Sequence, residues 1–362
     1  MLHIEPFKGE ANKDRLFAVL RGEPTDRVPN FEILIEDEHV EKLLGRKAGN
    51  TLGVGGDPAK GSEASEGVRP MYPKDYIELC RLIGQDAIAM ENFWTPLKHM
   101  KPDGTIGAIT DRSIKSREDM DSIIWPGEAE LEERLQYVRE YVDAAKGTGI
   151  GVALGGFCIF QTLYEFVIGM HDCMIMIYED REFFDELMSR SADYYVELIK
   201  RSIDIGIDLV FAADDFAYKT GLFVRPEVFI DIWRPHFDRI LEPLRNANIP
   251  IIFHSDGKVD DAVEMLLDMG VNCLTPMDPS GIDYRDFKKR YGSRVTLHGN
   301  IDLTWPLATG TPEDVEQDVI AHMEVMKPGG RWIAGCSHSI VNYIPHENFF
   351  AMLNAIHKYG VY

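Results

Sequence analysis

Cysteine is scarce in this chain, with five in 362 residues. They fall at Cys80, Cys158, Cys173, Cys273 and Cys336, odd in number and without a CxxC pair. That scatter excludes a disulfide framework and leaves most of them to act as small core hydrophobes. Long apolar runs are also missing, so no bilayer-spanning segment is expected. Residues 1–15 (MLHIEPFKGEANKDR) lack the apolar stretch of a secretory signal, and the expected location is the cytoplasm. Positive charge is in deficit: 38 Lys and Arg against 60 Asp and Glu give a net charge of −22. Such a surface repels phosphate backbones and anionic lipid, which argues against nucleic acid or a membrane as partner. Its plainest use is solubility. Nucleotide loops are absent as well. Gly53-Val54-Gly55-Gly56 matches neither GxGxxG nor GxxxxGK[ST].

What is present is ample material for one core. Hydrophobic residues make up 45% and charged residues 27%, neither a disordered nor a membrane composition. Short apolar runs at 28–35, 86–91, 150–155, 208–213, 251–254, 271–275, 295–299 and 332–335 are strand candidates. Amphipathic segments at 183–205, 226–246, 260–269, 312–326 and 347–359 are helix candidates, and 12–20 is a short helix ahead of the first strand. Thr311, followed by Pro312, Glu313 and Asp314, is a helix N-cap signal. Eight strands separated by helices predict parallel pairing, and the expected fold is α/β, a (β/α)8 TIM-type barrel. An open doubly wound sheet is the competing architecture. The barrel is expected to be a single domain over 1–362, with an N-terminal extension at 1–27, a flexible loop at 45–69 and a hairpin at 101–117 marked by Pro102-Asp103-Gly104-Thr105.

In such a barrel the residues just past each strand face one common mouth. Read off in order, they are Glu32 and Glu36, Glu91, Gly155 to Phe157, Asp214-Asp215, His254 to Gly257, Met277-Asp278, Gly299 to Asp302, and Cys336 to His338. The sharpest subset is His254, Asp256 and Cys336, whose imidazole, carboxylate and thiolate together suit zinc with one coordination position left open. Spacing alone is a weak signal, because a histidine at a strand end is more often a satisfied core residue. Asp214, Asp215 and Glu91 are candidate acids, or else caps and ion-pair partners. Phe93, Trp94, Phe157, Phe216 and Tyr343 are candidate walls of an aromatic pocket, or else ordinary packing.

Several stretches carry a resemblance. They are 20–29 (LRGEPTDRVP), the Asp214-Asp215 strand end with 221–227 (GLFVRPE), and 254–257 (HSDG). To these add 297–302 (LHGNID), 310–315 (GTPEDV) and 345–348 (PHEN). Together they resemble the uroporphyrinogen decarboxylase superfamily over nearly the whole length, which implies the same barrel. The true decarboxylases carry an arginine-rich segment after the first strand. Here residues 31–38 read FEILIEDE, an acidic stretch that would repel a polycarboxylate. The sequence is more similar to the branch of corrinoid-linked methyltransferases around methylcobalamin:coenzyme M methyltransferase.

That branch binds zinc through a His-x-Cys pair and a distant Cys. The resemblance places His254 on its histidine, Asp256 on its first cysteine and Cys336 on its second. It also implies an acidic fourth ligand after the next strand, where Met277 aligns and Asp278 lies beside it, with Glu91 and Asp214 as rivals. Carboxylate in place of thiolate gives a harder zinc, suited to an oxygen substrate. The resemblance therefore implies a zinc methyltransferase that moves a methyl group from a small methyl ether, such as a methoxylated aromatic, to the reduced corrinoid (cobalamin) of a partner protein. Three alternatives stay open: transfer from a methyl-corrinoid protein to a thiol such as coenzyme M or to a folate, a metal-independent decarboxylase, and a barrel that only docks the corrinoid protein. A homodimer is implied by the resemblance alone.

Overall fold

The computed structural model describes residues 7–52, 71–90, 97–100, 104 and 106–362. In chain order its strands are β1 (Ala87–Met90), β2 (Lys98–Met100), β3 (Ile106–Ala108), β4 (Ile123–Ile124), β5 (Gly151–Gly156) and β6 (Leu209–Ala213). They continue with β7 (Ala217–Tyr218), β8 (Gly221–Leu222), β9 (Ile251–His254), β10 (Cys273–Thr275), β11 (Thr296–His298) and β12 (Trp332–Ile333). Seven of them form one parallel sheet in the order β1-β5-β6-β9-β10-β11-β12. The helices are α1 (Lys13–Arg21), α2 (Asp37–Leu44), α3 (Pro73–Ile83), α4 (Glu128–Ala145), α5 (Phe160–Thr162) and α6 (Met170–Glu179). Next come α7 (Arg181–Ile205), α8 (Pro226–Asn246), α9 (Val263–Asp268), α10 (Tyr284–Tyr291), α11 (Pro312–Met326) and α12 (His346–Tyr359). A helix lies between each consecutive pair of sheet strands, as parallel crossovers require.

Both faces of the sheet are buried, which gives near-continuous apolar strands. Ala87, Ala89, Ala153, Leu209, Phe211, Ile252, Cys273 and Ile333 point into one cluster inside the curl of the sheet. Their neighbours Ile88, Val152, Leu154, Val210, Ile251, Phe253, Leu274 and Trp332 join a larger core beneath the helices. Leu16, Val19 and Leu20 of α1 plug one end of the inner cluster. The plug is fastened to the starts of the strands. Asn12 N donates to Asp86 Oδ1 at 2.9 Å, Lys13 Nζ to Asp208 Oδ1 at 2.7 Å, and Thr296 Oγ1 to Val19 O at 2.7 Å. The opposite end, where the strands finish, is left for the site.

The first of the eight expected strands, 28–35, is a correction. These residues lie between the two edges of the sheet but form only isolated parallel bridges, Asn30 with Gln85 and Ala334, and Ile35 with Ile340. Side chains take the backbone donors that a ladder would use: Gln85 Oε1 receives Glu32 N and Thr51 Oγ1 receives Ile35 N, each at 2.8 Å. Pro29, just before, has no N–H to give. The architecture is therefore an α/β fold with a curled parallel sheet of seven strands among the described residues. The expected hairpin is part of a three-stranded antiparallel sheet in the order β3-β2-β4. The expected loop at 45–69 is described only to residue 52, and Glu91, Phe93 and Trp94 lie outside the described residues.

Candidate metal centre

Strands β6 and β9 are neighbours, with Ala213 opposite His254. Two residues further along each strand stand Asp215 and Asp256, so register alone sets two carboxylates beside one imidazole. His254 Nε2 lies 3.8 Å from Asp215 Oδ1 and 3.7 Å from Asp256 Oδ1. The three ligand atoms are within 4.8 Å of one another, and all three residues are partly buried. Those separations are too long for hydrogen bonds. Around a tetrahedral zinc, ligand atoms lie about 3.4 Å apart, so the spacing suits a divalent ion shared by all three. The His254 ring packs on Phe211 at 5.8 Å, and its buried Nδ1 has no hydrogen-bond partner.

The supports differ for the two aspartates. Asp215 Oδ1 accepts from the Asp256 amide at 2.8 Å and Asp215 Oδ2 from Gln161 Nε2 at 3.1 Å. Burial, together with the Asp256 carboxylate, pushes the Asp215 carboxyl up to about 6, with His254 opposing. Asp256 faces a second imidazole, His338 Nε2, at 3.7 Å from its Oδ2. Gly257 makes the tight turn that brings Asp256 round. Its φ is +84°, and a Cβ there would meet the Ala217 backbone at 2.8 Å.

The other expected site residues are distributed as follows. Cys336 does not join the trio, and no group of three at that spacing among the described residues includes it. It follows β12, three strands along from β9. Burial and the nearby Glu32 carboxyl raise its thiol well above the ordinary range. Its amide donates to both Glu32 oxygens at 3.2 Å, and its Sγ accepts from the His338 amide at 3.4 Å. Asp278 is spent on two turns, receiving Gly257 N of the turn after β9 at 2.9 Å and, within its own turn, Ser280 N at 2.8 Å and Ser280 Oγ at 2.9 Å. Asp214 is fully buried. Its carboxylate receives the amides of Ile159, Phe160 and Gln161 at 3.2, 2.9 and 2.7 Å and the Trp233 indole at 2.7 Å. It anchors the chain beside the site. Phe157 and Phe216 lie in the core, Phe157 against Tyr195 and Phe216 against Phe229. Tyr343 is half exposed.

Two residues at the site were not singled out from the sequence. Gln161, Thr162 and Glu165 interrupt the otherwise mostly apolar run 157–168, and the four-residue spacing of Gln161 and Glu165 was the available signal. His338 stands in the sequence only as the last of the mouth residues Cys336 to His338.

Known proteins share this frame. The sequence profile of uroporphyrinogen decarboxylase (URO-D) matches residues 99–359. A uroporphyrinogen decarboxylase of Alkalilimnicola ehrlichii is 23% identical over 365 residues, covering 95% of this chain and 93% of its own length. One of Methylobacillus flagellatus is 34% identical over 87 residues, a match spanning 23% of this chain and 24% of that relative. Among solved structures, a methyltransferase from Methanosarcina mazei superposes with a TM-score of 0.69 at 17% identity, covering 97% of this chain and 99% of its own. With the profile matched over well above half of its length, this chain belongs to the uroporphyrinogen decarboxylase family.

Proposed function

We propose that this protein is a zinc-dependent methyltransferase that moves a methyl group from a small methyl ether, a methoxylated aromatic above all, to the reduced corrinoid of a partner protein. The observation that carries the reading is the trio of Asp215, His254 and Asp256, whose ligand atoms lie within 4.8 Å of one another where two adjacent parallel strands end. A divalent ion held there supplies Lewis acidity toward an ether oxygen. One imidazole and two carboxylates make a harder donor set than the thiolate-bearing set expected from the resemblance, which favours oxygen over sulfur as the atom bound. Asp215 and Asp256 are tied to each other through the Asp256 amide, so the two carboxylates keep a fixed relation. His338, with Nε2 3.7 Å from Asp256 Oδ2, is the ionisable side chain placed to hold a proton for a departing alkoxide or phenolate.

The metal-independent decarboxylase is the second reading, and the names of the sequence relatives favour it. Against it stands the absence of arginine from 31–38, where Glu32 and Glu36 are buried instead. Metal analysis paired with an assay on a methoxyaromatic panel with reduced corrinoid separates the two. The proposal expects about one zinc per chain and demethylation that stops on chelation and returns with zinc. Decarboxylase activity that survives complete chelation would overturn it.

A further inference from the structure

We propose that Gln161 is a positioning residue for the metal centre, a clamp that turns the Asp215 carboxylate so that Oδ1 faces His254. The inference rests on the metal reading above and concerns how this chain shapes its own ligand. Asp214 and Asp215 are consecutive, and both grip Gln161: Asp214 Oδ1 accepts its backbone amide at 2.7 Å, and Asp215 Oδ2 accepts its side-chain amide at 3.1 Å. The same Nε2 also donates to Glu165 Oε2 at 3.2 Å, one turn further along the same segment. Both amide hydrogens are thus committed to carboxylates. This fixes which end of the side chain faces Asp215, because an amide oxygen could not face two carboxylates. Gln161 is 8% exposed, so water does not readily replace either bond.

The result is a division of labour on one carboxylate. Oδ2 is held by Gln161, while Oδ1 receives the Asp256 amide and keeps a second lone pair directed toward the space shared with His254. Without the Oδ2 donor, the carboxylate is fixed at one oxygen only and can rotate about its terminal bond. Partners of this kind fix ligand direction, and losing one typically weakens metal binding by about 10- to 100-fold.

The test is titration of the metal-free protein with zinc, read by calorimetry, for wild type and Gln161→Leu. A parallel measurement follows the visible absorption of the cobalt(II)-substituted forms. The clamp predicts zinc affinity lower by about 10- to 100-fold in the variant and an altered cobalt spectrum. It also predicts an unfolding midpoint of the metal-free protein lowered far less than in Asp214→Ala. Gln161→Asn, one methylene too short to reach both carboxylates, gives the same reading if the leucine variant does not fold. Equal zinc affinity and an unchanged cobalt spectrum in a folded variant overturn the clamp while leaving the metal reading intact. A wild-type protein that binds no divalent ion overturns the metal reading, and the clamp with it.

Discussion

At the scale of single residues, the two adjacent aspartates that follow β6 divide their work sharply. Asp214 is saturated by three backbone amides and an indole, while Asp215 keeps an oxygen toward His254. Asp214→Ala strands four buried donors at once, and the protein should lose about 3–5 kcal/mol of stability, measured by urea unfolding. His254→Ala removes a half-buried ring at the mouth. It should leave a folded protein with no zinc and no turnover, measured by circular dichroism, metal content and assay. A zinc-loaded His254→Ala protein would contradict the ligand assignment. His254 and Asp256 were legible in the sequence because a strand end with a two-residue spacing followed by glycine is a local pattern. Asp215 was legible as a mouth residue but not as a partner of His254, since that depends on which strands are neighbours. The pairing of Ala213 with His254 settles it. Cys336 sits where its amide meets Glu32, and His338, two residues on, is the member of that segment that approaches Asp256.

At the scale of elements, the clearest local signals located the boundaries best. The helices expected at 226–246 and 312–326 and the strand at 251–254 coincide with α8, α11 and β9. Both helices open on proline in the first turn, and α11 adds a capping box in which Thr311 and Asp314 exchange hydrogen bonds. Thr311→Ala should therefore cost about 1 kcal/mol, seen as a lower urea midpoint. The segment 28–35 misled because its β-branched and aromatic content suits a strand, while the side chains of Gln85 and Thr51 that intercept its amides come from elsewhere in the chain. The turn after β9 makes a sharper prediction. Gly257→Ala changes no ligand atom, yet its Cβ would press on the Ala217 backbone and its φ is unfavourable for alanine. Zinc affinity should fall by at least tenfold, measured by competition with a chromophoric chelator.

At the scale of the whole molecule, burial sets a pH window for stability. His39, His298 and His357 each have a pKa lowered from 6.5 to about 4, chiefly by burial. Their unfolded forms bind protons that the native forms refuse, so their contribution is complete above pH 6.5 and is lost as pH falls toward 4. Glu32 runs the other way. Burial raises its pKa from 4.5 to about 8, so its contribution is present below 4.5 and is lost as pH rises toward 8. Asp214 and Asp215, raised by burial to about 7 and about 6, act like Glu32 and offset the histidines below pH 6.5. The unfolding temperature of metal-free protein should therefore fall most clearly as pH rises from 6.5 toward 8. His357→Gln, which keeps a donor toward Ile83 O, should flatten the acid side by roughly 3 kcal/mol. An acid limb of unchanged steepness would contradict that assignment. Among the described residues no helix is long and apolar enough to cross a membrane.

One comparison bears most directly on the whole account: zinc content of the purified wild type, Asp215→Asn and Cys336→Ser proteins, determined by elemental analysis on folded material. The geometry predicts about one zinc per chain in the wild type and in Cys336→Ser, and a large loss in Asp215→Asn. Full zinc in Asp215→Asn with none in Cys336→Ser, or no zinc in any of the three, would contradict it.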